Sequence, residues 1–78
     1  MPRPYYTLFT HESGQWLPQF GDHCRATVVQ EREDTYLARW RNDEFRYTSR
    51  CIKILTLPNA TQRAVDEATA RLNKEGQP

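Results

Sequence analysis

The chain is short of the residues from which most catalytic and metal sites are built. Its 78 residues hold two cysteines and two histidines. Cys24 and Cys51 cannot make the multi-bridge framework of a small secreted domain. With His11 and His23 they are the only soft metal ligands, and no C-x-x-C or H-x-x-x-H spacing occurs. His23 and Cys24 are adjacent, so on a helix they point to different sides, and no metal site is expected. There is no G-x-G-x-x-G, no P-loop and no G-x-S-x-G. A chain of this size also has little room for a catalytic cavity, which takes on the order of several hundred Å³. The one arrangement with nucleophilic potential is Cys24 near a helix N-terminus with His11 or His23 beside it, and chance adjacency accounts for it as well. The expectation is a protein that is not an enzyme and carries no cofactor.

Charge excess and long apolar runs are missing too. Eleven Lys and Arg balance ten Asp and Glu, for a net charge of +1. That balance argues against a dedicated nucleic-acid binder, which carries a clear basic surplus. No stretch approaches the ~20 apolar residues of a spanning helix, so no membrane partner is expected. Met1 to Tyr6 has no apolar h-region of a signal peptide. These features point to the cytoplasm.

What is present describes one small folded domain over 1–78, with 1–4 and 75–78 expected to be flexible ends. Hydrophobic residues make 37% and charged residues 27%, too apolar for a disordered chain. Tyr5 to Thr10 is aromatic and β-branched and predicts a strand. Glu12-Ser13-Gly14-Gln15 predicts a turn and Gln15-Trp16-Leu17 a short second strand, the two pairing as a hairpin. Pro18 restricts that strand to a sheet edge or its end. Gly21 then reads as a strand break and Asp22 as an N-cap.

Between Asp22 and about Trp40 an apolar stripe falls at Ala26, Val29, Tyr36 and Trp40, with Leu37 alongside, as a helix requires. Thr27-Val28-Val29 prefers strand, so a hairpin turning at Glu33-Asp34-Thr35 stays open. Cys51 to Leu57 is the clearest strand, and its near-continuous apolar run predicts an internal position or cover on one side. Pro58 stops it. Asn59 with Gln62 reads as a capping box for a last helix, with Val65, Ala68 and Leu72 buried, Ala64 beside them, Glu67 and Arg71 paired, and Gly76 as its terminator.

The order strand, strand, helix, strand, helix predicts an α+β fold, ββαβα. It implies a three-stranded sheet of order 2-1-3, with the second and third strands parallel and two helices on one face. A helix of that length between Cys24 and Cys51 keeps the two thiols beyond bridging distance. One sheet face is then left bare. Neither the Tyr5-Thr7-Phe9 side nor the Tyr6-Leu8-Thr10 side of the first strand is polar, so a bare face predicts a homodimer or a partner-binding surface through Tyr5 and Phe9.

The second candidate surface is the stretch Arg39-Trp40-Arg41-Asn42-Asp43-Glu44-Phe45-Arg46-Tyr47-Thr48-Ser49-Arg50. Four arginines and three aromatics interleave there. Arg39, Arg41, Arg46 and Arg50 with Phe45 and Tyr47 suit a protein hot spot. The same types stack bases and grip phosphates, although the near-zero net charge weakens that alternative. The plainer account makes Trp40 and Phe45 core and the arginines a solvated loop paired with Asp43, Glu44 and the run Glu31 to Asp34.

The heptapeptide Trp16-Leu17-Pro18-Gln19-Phe20-Gly21-Asp22 is the most distinctive motif. Together with Val28-Val29-Gln30-Glu31, Ile52-Lys53-Ile54-Leu55, Ala64-Val65-Asp66-Glu67-Ala68 and Leu72-Asn73, it resembles a family of small proteins encoded by bacteriophages and prophages. That family shares a W-x-P-Q-F-G-D core, an acidic helix, an I-K-I strand and an A-I-D-x-A … L-N helix. The resemblance spans nearly the whole chain, and its motifs are structural. It implies a small accessory protein that binds a host protein complex and blocks it, a CRISPR effector or restriction system being the kind of target. The stretch after Trp40 looks longer here than in that pattern.

Overall fold

The computed structural model of the chain describes residues 3–36 and 49–75. The elements are β1 (Tyr5–Glu12), β2 (Gln15–Asp22), α1 (Arg25–Glu31), β3 (Ile52–Leu57) and α2 (Gln62–Glu75). A π-helical turn, Arg32–Tyr36, extends α1, and a 3₁₀ turn, Ser49–Cys51, leads into β3. The sheet has three strands in the order β2-β1-β3, and β1 is antiparallel to both neighbours. The two outer strands therefore run parallel to each other. The fold is α+β with the expected strand order.

The hairpin turn is two residues long, with Ser13 at φ 52° and Gly14 at φ 84°. Two successive positive φ values give the turn a twist that matches the strands it joins. β2 continues well past Pro18 instead of stopping there. The register shifts between Leu8↔Phe20 and Phe9↔Pro18, which leaves Gln19 as the extra residue of a β-bulge. Gly21 belongs to the strand, and its missing side chain makes room for a neighbour. A Cβ on it would lie 2.6 Å from carbons of the Tyr5 ring.

α1 begins at Arg25, later than the expected start at Asp22. Cys24 is the N-cap, and the Asp22 carboxylate accepts its N–H at 2.7 Å. The buried residue of α1 is Val28, fully enclosed, whereas Ala26 is exposed and Val29 half-buried. The expected stripe was therefore in the wrong phase. A spacing read across nineteen positions overweights residues beyond Glu31, where the α-helix has already given way to another geometry. The part of that stripe at Leu37 and Trp40 lies outside the described residues.

α2 starts two residues inside the expected cap. Thr61 is its N-cap: Thr61 Oγ1 accepts the N–H of Ala64 at 3.1 Å. Asn59 stands two residues earlier, its Oδ1 accepting from Thr61 N and Thr61 Oγ1. Ala64, Ala68 and Leu72 are buried and Val65 is half-buried, as the apolar spacing predicts. Arg63 pairs with Glu67 one turn on at 3.2 Å, both side chains largely exposed.

The helices cover opposite faces of the sheet, contrary to the single-face expectation. Phe9, Trp16 and Leu57 form one cluster with Ala64, Ala68 and Leu72 of α2, and Tyr5 and Leu55 pack at its margin. Leu8 and Ile52 form the other with Val28 of α1, flanked by Tyr6, Phe20 and Ile54. Successive residues of a strand point to opposite faces, so Leu8 and Phe9 look at different helices. Both are completely buried. The two-sided apolar character of β1 is thus satisfied within the chain.

Candidate interaction surfaces

Most residues of Trp16 to Asp22 have a structural task. Trp16 is 1% exposed and lies under α2. Its backbone N–H donates to Asn73 Oδ1 at 2.6 Å, and Asn73 Nδ2 donates to its carbonyl at 3.3 Å. Phe20 packs toward α1, Gly21 accommodates Tyr5, and Asp22 sets up the turn into α1. Gln19, on the bulge, donates to Thr10 Oγ1 at 2.9 Å and Glu12 Oε2 at 3.2 Å. Thr10 also donates to Glu12 at 3.1 Å. The heptapeptide is a strand with its fittings.

The sheet-face surface expected from Tyr5 and Phe9 does not survive the packing. Phe9 is fully enclosed in the α2 cluster. Tyr5 is half-buried beside the same cluster and meets the His23 ring edge-on, centroids 5.1 Å apart. His23 Nδ1 lies 3.0 Å from the carbonyl of Pro4, so this cluster ties the start of β1 to the end of β2. With no bare face, the reason given for a face-to-face homodimer falls away.

Of the arginine and aromatic stretch, the structure describes Arg50, whose side chain is exposed on the turn leading into β3. Arg39, Arg41, Phe45, Arg46 and Tyr47 lie outside the described residues. In the acidic run before them, Arg32 pairs with Glu33 at 3.0 Å and Gln30 donates to Asp34 at 2.6 Å.

The four soft ligands are dispersed in role. Cys24 and Cys51 form no disulfide. His11 packs edge-on against Trp16 at 5.0 Å, its Nε2 buried without a hydrogen-bond partner, while His23 serves the Tyr5 contact. Among the described residues, no three His, Cys, Asp or Glu converge on a point where a metal ion would sit. The Cys24 thiol is exposed and its pKa is lowered, first by a hydrogen bond with the Thr27 side chain and then by the backbone of Thr27 and Ala26. The Asp22 carboxylate opposes that shift. The hydrogen bonds from Thr27 and Ala26 favour the thiolate form of Cys24. No described helix is long and apolar enough to cross a membrane.

Comparison of the chain with protein families, with curated proteins and with solved structures finds no match.

Proposed function

We propose that this chain is a non-catalytic, phage-type protein that binds a bacterial host protein complex in the cytoplasm and inhibits or modulates it. A CRISPR-Cas effector or another defence system is the class of target. The observation that carries this reading is Arg50, exposed at the margin of a sheet whose two faces are already roofed. The last guanidinium of the arginine–aromatic stretch thus stands in solvent where that stretch enters the fold. Arginine and aromatic side chains in one surface patch are the residue types that dominate protein hot spots. Blocking requires a surface and no pocket, which suits a chain of 78 residues.

The test replaces Arg41, Arg46 and Arg50 together with Ala and measures capture of the partner complex as salt is raised. The expected result is loss of capture by the variant with unchanged circular dichroism, and wild-type capture that persists at high salt. Binding that collapses steeply with salt would instead indicate phosphate contacts, and with them a small nucleic-acid-binding regulator using the Arg39–Arg50 stretch.

A further inference from the structure

The two outer strands end the sheet in different ways. In an antiparallel ladder, residues alternate between pairs that exchange hydrogen bonds and pairs that do not. A two-residue turn places Glu12 and Gln15 in a bonded pair, so Trp16 and Pro18 turn their backbone groups outward, away from β1. Trp16 is closed by the Asn73 side chain, which takes its N–H and donates to its carbonyl. Pro18 has no N–H to offer, and the bulge at Gln19 follows. The outer edge of β2 is thereby blocked by means that sheet proteins use against strand addition.

Among the described residues, β3 has none of these. Its partners on β1 place Lys53, Leu55 and Leu57 in bonded pairs with Phe9, Thr7 and Tyr5. Ile52, Ile54 and Thr56 therefore point their N–H and C=O groups outward. That is three donors and three acceptors in a row, and no described residue outside the strand hydrogen-bonds to them. The strand has no proline and no bulge. Its one charged side chain, Lys53, is drawn back across the sheet, with Nζ 5.2 Å from the centre of the Trp16 ring. The ammonium that would guard the edge is turned away from it.

We propose that the outer edge of β3 is a dimerisation edge, where the β3 of a second copy of this chain adds antiparallel about a two-fold axis through Ile54. The edge is self-complementary in that register. Ile54 meets the partner's Ile54, Ile52 meets the partner's Thr56, and Lys53 stands opposite the partner's Leu55, so no like charges face each other. Side chains on both faces support the same occupant. Ile54 lies at the rim of the α1 cluster and Leu55 at the rim of the α2 cluster, each only half-covered. A second β3 extends both clusters at once, which an isologous contact requires. The product is a continuous six-stranded sheet whose ends are the two blocked β2 edges.

The experiment uses the purified chain alone, so it does not depend on any host target. Sedimentation across a concentration series is combined with hydrogen exchange at Ile52, Ile54 and Thr56. The expected result is a rise from the 9.2 kDa monomer to twice that mass, with those three amides slowing in step. Ile54→Pro removes a single outward N–H, and Thr56→Pro does the same at a solvent-exposed position; whichever folds, judged by circular dichroism, should remain monomeric. A monomer at every concentration would overturn the proposal. So would a dimer whose three amides exchange freely. Slow exchange of the three in a monomer would assign the edge to a segment of the same chain.

Discussion

At the residue scale, Cys24 is an exposed thiol whose pKa is lowered by its neighbours. The Thr27 hydroxyl and the first amides of α1 stabilise its thiolate. Cys24 should therefore alkylate with a pH midpoint below that of an ordinary cysteine thiol, the rate rising as the thiolate forms. Thr27→Val should move that midpoint upward, because the largest stabilising contact is lost. An unchanged iodoacetamide pH profile in the variant would refute this origin of the shift. Thr7 offers the opposite case. It is 3% exposed and its Oγ1 has no hydrogen-bond partner. Thr7→Val keeps the shape and removes a buried unpaired hydroxyl, so stability should rise by about 1 kcal/mol, an upward shift of roughly 4–8 °C in Tm for a domain of this size. A fall in Tm would mean that the hydroxyl is satisfied.

At the element scale, Asn73 joins the end of α2 to the outer edge of β2 by imitating a strand with one side chain. Asn73→Ala should cost about 1 kcal/mol and speed exchange of the Trp16 amide. Asn73→Asp keeps the acceptor for Trp16 N–H and loses the donor, so its cost should be smaller. Equal stability of all three forms in a denaturant titration would remove Asn73 from the account. The strands were largely legible in the sequence, because aromatic and β-branched runs bounded by Gly14 and Pro58 leave few alternatives. The stripe of α2 was legible for the same reason: Ala64, Val65, Ala68 and Leu72 recur at helical spacing over a full 14-residue helix. α1 was less so. It has seven residues and one buried side chain, Val28, too few for a period to declare its phase.

At the scale of the molecule, the side on which each helix lies has no local signal, and the sequence misled there in an instructive way. An apolar pattern on both faces of β1 pointed toward an exposed face seeking a partner. The same pattern describes a central strand with a helix on each side, and Leu8 and Phe9, both fully buried, decide for that arrangement. Consequently Phe9, placed on a binding surface by its spacing, belongs to the core. Among the described residues, the open part of the sheet is the β3 edge, which depends on hydrogen-bond register and is invisible to composition. The arginine–aromatic stretch is the contact surface proposed above, on the strength of its residue types and of Arg50 in solvent.

The most direct test of that claim is capture of partners from bacterial lysate by the tagged chain, with and without nuclease, followed by mass spectrometry and repeated with the Arg41, Arg46 and Arg50 triple-alanine variant. The account predicts a stoichiometric host protein complex that survives nuclease and is missing from the variant's eluate. Loss of every partner after nuclease would contradict it and assign the arginines to nucleic acid.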